Sequence, residues 1–226
     1  MTTGLGSTDT WRRLPTDGGS SQDHVRLSDA LSRLASRPTV WWHWTAEPTL
    51  ILGAGQHQAV VDLAACAAAG VRVINRNSGG TSVYADPYML GLDVALPPHH
   101  PLIRDDVVES YRWMGEVWVH ALSSLGIPGR IVSIEEAHAH PRPSPDVESI
   151  LRLACFGSLS PYEVVVEGRK IVGLSQVRRA GRTLLQSAIY LTFHAEALSQ
   201  LLLMSDRPRA AHKLEDVAIG LDQAAG

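Results

Sequence analysis

Apolar residues recur along this chain with two periods, one near 3.6 and one of 2, and short Gly/Pro/Ser-rich stretches divide the segments. In "RLSDALSRLAS" (Arg26 to Ser36), Leu27, Ala30, Leu31 and Leu34 stand at helical spacing, which predicts an amphipathic helix stopped by Pro38. "TVWWHW" predicts a strand with Trp42 and Trp44 on one face and Trp41 and His43 on the other. "EPTLILGAG" reads as a Pro-led turn, a short strand and a Gly-rich turn. "AVVDLAACAAAG" predicts a short helix closed by Gly70. "VRVIN" and "YMLGLDVALP" predict strands, the second running through Gly91. The clearest helix spans Arg104 to Gly126, with acidic residues in its first turn and glycine at its end. Val107, Tyr111, Met114, Val117, Trp118, Ala121 and Leu125 form its expected buried stripe. Residues 128–149, with four prolines, are expected to be irregular. "YEVVVEGRKIVGLSQ" predicts a hairpin turning at "EG", "TLLQSAIYLTF" a strand, "HAEALSQLLLM" a helix and "KLEDVAIGLD" a last short one. Hairpins dominate over β-α-β alternation, which favours α+β.

Composition narrows the function classes. The chain has 226 residues, 20 Lys+Arg against 23 Asp+Glu, a net charge of -3 and 45% hydrophobic residues. That length suits one domain with short appendages: a frayed N-terminus (1–10), a core (11–205) and a tail (206–226). Near-neutral charge argues against a nucleic-acid binder. Two cysteines, Cys66 and Cys155, exclude a disulfide scaffold and a cysteine zinc site. No apolar run approaches a membrane span and the N-terminus is not a signal peptide, so a cytoplasmic protein is expected. All but two of the 20 basic residues are arginines; the lysines are Lys170 and Lys213. A position that keeps lysine in such a chain draws notice as a place needing an amine.

Three segments carry candidate chemistry. In "RNSGGTSVYAD" (Arg76 to Asp86), Gly79 and Gly80 allow a ligand close to backbone N–H groups, Ser78 and Thr81 add hydroxyls, and Arg76 can meet an anion. The P-loop Lys-Ser/Thr and the dinucleotide fingerprint's third glycine are both missing, and a plain hairpin turn is the simpler reading. In "EGRKIVGLSQ" (Glu167 to Gln176), Lys170 follows a turn; it is either solvated or set to bind a carboxylate, steady an acyl-phosphate or ionise a thiol. In "ACFGSLSPYEV", Cys155 lies in a Gly/Ser turn close in sequence to that hairpin, whereas Cys66 sits in an alanine-rich helix and reads as structural. The ten histidines show no metal-ligand spacing, so no metal is assigned; those outside the core strands are expected to be exposed.

Taken in order, these motifs resemble the lipoate-protein ligase and octanoyltransferase family, within the superfamily that also holds biotin ligases. The resemblance spans about residues 11–205. Asn75, Arg76, Asn77, Ser78, Gly79, Gly80, Val83 and Asp86 fit the family's Arg-Arg-x-Ser/Thr-Gly-Gly…Val…His-Asp signature, with Asn75 for the first arginine and Ala85 for the histidine. Gly168, Arg169, Lys170, Ile171, Val172, Gly173 and Gln176 match the second signature, and Ser187 and Ala188 depart from the His-Gly that often follows. The resemblance implies a mixed, largely antiparallel sheet flanked by helices, with an acyl tunnel; the tryptophans of "WWHW" read from sequence as core packing, with a wall for an acyl pocket as the alternative. It implies Lys170 as the essential amine, and Arg76, Ser78, Gly79, Gly80, Thr81, Val83, Gly173 and Gln176 as substrate contacts. It also implies transfer of an octanoyl or lipoyl group to a lysine of a lipoyl carrier domain. One branch takes octanoyl from acyl carrier protein through a cysteine in a Cys-Phe pair, as in Cys155-Phe156. Ligases instead use ATP and magnesium with lipoate, and many add an accessory domain for which the stretch after residue 205 is too short. No permanently bound cofactor is implied. Thioester acyltransferase, ATP-dependent ligase and non-catalytic acyl-binding relative stay open at this stage.

Overall fold

A computed structural model describes residues 10–139 and 148–226. The frayed ending expected before residue 10, and Pro141, Pro143 and Pro145, fall outside that range. Among the described residues ten strands form two sheets: β1 (Arg12–Arg13), β2 (Thr39–His43), β3 (Thr49–Leu52), β4 (Arg72–Asn75), β5 (Val83–Ala85), β6 (Met89–Leu96), β7 (Arg130–Ile131), β8 (Val164–Val166), β9 (Arg169–Arg179) and β10 (Arg182–Tyr190). The large sheet runs β1-β2-β6-β10-β9-β8-β7 and is antiparallel except for the β1–β2 pair. The small sheet runs β4-β3-β5, parallel then antiparallel. The helices are α1 (Ser21–Leu34), α2 (Leu63–Ala68), α3 (Arg112–Ser124), α4 (Ile134–Ala139), α5 (Glu148–Leu153), α6 (Ala195–Leu201), α7 (Arg207–Val217) and α8 (Leu221–Ala224). This is the α+β architecture the sequence predicts.

Hairpin chemistry sets the sheet. Glu167 and Gly168 both take positive φ, 52° and 79°, the conformation that matches a two-residue turn to strand twist between β8 and β9. Ala180 and Gly181 repeat it between β9 and β10. One face of the large sheet packs on α3 through Leu92, Val94, Leu185, Met114, Trp118 and Leu122. The other meets α1 through Leu31, Ala35, Trp41, Ala95 and Leu184. A third cluster fills the space between the small sheet and α2, α5, α6 and α7, with Leu50, Leu52, Cys66, Phe156, Tyr190 and Leu214 at its centre.

Several expectations need correction. The predicted α1 stripe is rotated: Leu27 and Leu34 are exposed, while Ser21, His24, Ser28 and Ser32 are buried beside Leu31. The helix expected from Arg104 begins only at Arg112, after a 3-10 turn at Glu109–Tyr111. The Arg178 guanidinium donates to the carbonyls of Arg104, Asp105 and Asp106, and so holds the preceding residues as a loop. Of the expected α3 stripe, Met114 and Trp118 are buried, with Leu122 in place of Val107, Val117, Ala121 and Leu125, which are exposed. The stretch 128–139 carries β7 and α4 rather than remaining irregular. His24 and His100 are buried, not exposed. The tail region forms α7 and α8, and Ala218 and Ile219 are buried against Lys170, whose carbonyl accepts from Ile219 N–H at 3.0 Å.

Candidate active site

The serine–glycine turn between β4 and β5 is held from inside. Arg76 donates from Nη2 to the carbonyls of Gly79 and Thr81, at 3.0 and 2.9 Å. Its guanidinium is therefore engaged by the turn while Arg76 also lines the cavity. Gly80 takes φ +91°, and Gly53 lies so close beneath it that a Cβ there would sit 1.9 Å from the Gly80 carbonyl oxygen. Close backbone approach is thus the reason for glycine in "LGAG".

Cys155 reaches this turn through backbone pairing far along the chain. Ser82 N–H donates to Leu153 O and Cys155 N–H donates to Ser82 O, both at 2.8 Å. Gln56 braces both strands: its Nε2 donates to Leu153 O, and its Oε1 accepts from Gly53 N–H and Ser82 Oγ. The result sets Cys155 Sγ 3.9 Å from where a Cβ on Gly80 would stand. Cys155 is part-exposed on a cavity wall, while Cys66 is buried in the core and its thiol pushed up by that burial.

Lys170 is sealed under this loop, 1% exposed. Its Nζ lies 2.6 Å from Glu163 Oε1 and donates to the carbonyls of Cys155 at 2.8 Å and Ser158 at 3.2 Å. An ammonium has three donors, and here each has an acceptor. The Lys170 ammonium also sits 5.2 Å from the centre of the Phe156 ring. Burial pushes the Glu163 carboxyl up, and Lys170 opposes that shift. The amine thus grips the main chain of Cys155 rather than facing its sulfur, as sequence reasoning had allowed. Gly173 lies alongside: a Cβ there would stand 3.3 Å from Lys170 Cε and from the Phe156 ring.

One cavity joins these parts. Arg76, Ser78, Val83, Cys155 and Gly173 line it, with Ile51, Ala85 and Met89 adding apolar wall. Gly79, Gly80 and Thr81 form the turn at its edge. Ser78 is 2% exposed and its hydroxyl has no hydrogen-bond partner among the described residues. Gln176, expected at the substrate, points elsewhere: its Nε2 donates to Val107 O at 2.7 Å and its Oε1 accepts from Arg178. None of the three tryptophans of "WWHW" lines the cavity; Trp42 packs edge-on to Trp118. Sequence reasoning missed Ser28, His43, Asp93 and Gln186, which line the cavity from α1, β2, β6 and β10. They occupy no shared motif, and only strand pairing brings them together. Among the described residues no cluster of three or more metal-ligating side chains occurs, and no helix is long and apolar enough to cross a membrane.

Known proteins share the sequence pattern and the fold of this chain. The octanoyltransferase LipM of Kyrpidia tusciae is 33% identical over 225 residues, covering 96% of this chain and 80% of the relative. LipM of Carboxydothermus hydrogenoformans is 30% identical over 199 residues, covering 86% and 70%. The fold is shared with a bipartite lipoate protein ligase of Thermoplasma acidophilum, studied with its E2 lipoyl domain (TM-score 0.72, 20% identity, 95% and 75% covered). It is also shared with a lipoate-protein ligase A bound with ATP (TM-score 0.66, 21% identity, 94% and 80% covered). Residues 22–219 match the lipoyl protein ligase A/B catalytic domain, and the chain belongs to that family.

Proposed function

We propose that this chain is a cytoplasmic acyltransferase that moves an octanoyl-length acyl group from acyl carrier protein to a lysine of a lipoyl carrier domain through a thioester on Cys155. The observation that carries this reading is the part-exposed Cys155 thiol on the cavity wall, beside a Gly-Gly turn and above a buried lysine. The names of the relatives support the octanoyl group and the transferase class.

In the first half-reaction the Cys155 thiolate attacks the carbonyl of the donor thioester, and the donor's thiolate leaves and takes up a proton. In the second, the neutral ε-amine of the acceptor lysine attacks the Cys155 thioester. An amide forms, the Cys155 thiolate leaves, and the amine's surplus proton passes to it or to solvent. Division into two steps replaces one slow transfer with two easier ones. The unpartnered Ser78 hydroxyl lines the same cavity as Cys155 and is the donor available to the acyl oxygen as negative charge grows there. Lys170 fixes the Cys155–Ser158 carbonyls, so the thiol is presented by a rigid loop. This route needs neither ATP nor magnesium. Two assays separate it from ligation: incubation with octanoyl-carrier protein, read by intact mass, and ATP–pyrophosphate exchange with lipoate. The thioester route expects the adduct and no exchange; exchange without an adduct would make the protein a ligase.

A further inference from the structure

The cavity has two unlike banks. Its floor is a row of register partners across the large sheet, Gly173, Ala188, Gly91 and His43. Gly173 and Ala188 are small and leave a shallow trough leading from Phe156 and the Lys170 stem to the His43 ring, which covers Gly91: a Cβ there would stand 2.4 Å from His43 Cε1. It crosses two inter-strand gaps of about 4.8 Å each, roughly 10 Å in all, room for an extended octanoyl chain whose end meets the imidazole. The bank beside the small sheet is apolar, with Ile51, Val83 and Met89. The opposite bank is polar. Asp93, 1% exposed, accepts from Ser28 Oγ at 2.5 Å and from Gln186 Nε2 at 3.1 Å. His43 Nε2 stands 3.6 Å from Asp93 Oδ1, too far for a hydrogen bond.

Two atoms over this far end are orphaned. His43 Nε2 and the hydroxyl of Ser21, a residue 3% exposed, are buried with no hydrogen-bond partner among the described residues. Both residues line the cavity. A saturated chain in the trough would press methylenes on these atoms and shut them off from water, the costly case for a buried polar group.

We propose that the acyl group this site selects carries a hydroxyl at its distal end, received by His43 and Ser21 beside Asp93. This rests on the thioester reading above and alters only the acyl chain. A hydroxyl donates and accepts, so it answers the imidazole nitrogen in either tautomer and the serine hydroxyl as well.

The test is a competition. Wild-type protein is offered equal amounts of octanoyl- and 8-hydroxyoctanoyl-phosphopantetheine thioester, and the two Cys155 adducts are read by intact mass. The hydroxylated adduct is expected to exceed the octanoyl one by about tenfold or more. Ser21→Ala removes a hydroxyl that has no partner to lose, so it should fold, and it should draw the ratio toward one; His43→Phe should do the same. An octanoyl adduct equal to or above the hydroxylated one in wild type overturns the proposal and leaves the thioester reading standing. A preference that survives both substitutions overturns the assignment to His43 and Ser21. If neither thioester loads Cys155, the thioester reading falls and this proposal with it.

Discussion

At the scale of single residues, the buried Lys170–Glu163 pair is the most consequential contact in the protein. Both side chains are 2% exposed, so neither charge has water to fall back on. Removing one partner of such a pair costs about 3–5 kcal/mol, because the other is left buried and uncompensated. Glu163→Gln should therefore lower stability by about that amount in urea unfolding. Lys170→Arg tests shape rather than charge. A guanidinium is planar and broader than an ammonium, and the site beside Gly173 and Phe156 has no space for it. Acyl transfer should fall at least about tenfold in that variant, through displacement of the Cys155 loop. Lys213→Arg is the control: Lys213 is half-buried, does not line the cavity, makes a 3.3 Å contact with Asp216, and its replacement should leave turnover unchanged. Wild-type turnover in Lys170→Arg would show that the loop does not depend on this amine.

At the scale of elements, α1 shows where hydrophobic periodicity misleads. The sequence locates the helix, but the inward face is Ser21, His24, Ser28 and Ser32 with only Leu31 of the predicted stripe. Periodicity finds the buried side only where that side meets a core; here most of it roofs a cavity and answers Asp93. The same face gives a pH prediction. Burial, then His43, lowers the pKa of His24, with Asp17 opposing. The unfolded chain therefore binds the His24 proton first, near its ordinary value of about 6.5. Stability from keeping this imidazole neutral is present above that pH and is lost as pH falls toward the folded value. Urea midpoints should drop as pH falls below about 6.5, and His24→Leu should flatten that slope. An unchanged slope in the variant would remove His24 as the cause. By contrast, the β8–β9 hairpin was fully legible, because its turn chemistry is local: "EG" is the pair whose two positive φ values close it.

At the scale of the whole molecule, legibility follows sequence distance. Most strands are readable one by one, but their order is not: β6 sits between β2 and β10, some fifty and ninety residues away in the chain, and no local pattern announces either neighbour. The candidate site divides in the same way. Its reactive end comes from contiguous motifs, Ser78 to Val83, Cys155-Phe156 and Lys170 to Gly173, and reads from sequence. Its far end is assembled from single residues on four elements and does not. The link from Cys155 to the turn is itself a long-range pairing, Ser82 with Ala154, so the thiol's position is a property of the whole fold. That makes Cys155→Ser the substitution that isolates chemistry from structure. The side chain changes by one atom, the Cys155 N–H and carbonyl bonds remain, and the fold should hold within about 0.5 kcal/mol. A serine hydroxyl is far less acidic and less nucleophilic than a thiol, so acyl capture should stop. Wild type incubated with octanoyl-carrier protein should gain one octanoyl mass, labile to hydroxylamine and mapped to Cys155; the variant should gain none and transfer none. Cys66→Ser should still load, since Cys66 is shut in the core away from the cavity. If Cys155→Ser instead attaches lipoate with ATP at the wild-type rate, the thiol takes no part, and the loop that Lys170 holds would serve an acyl-adenylate.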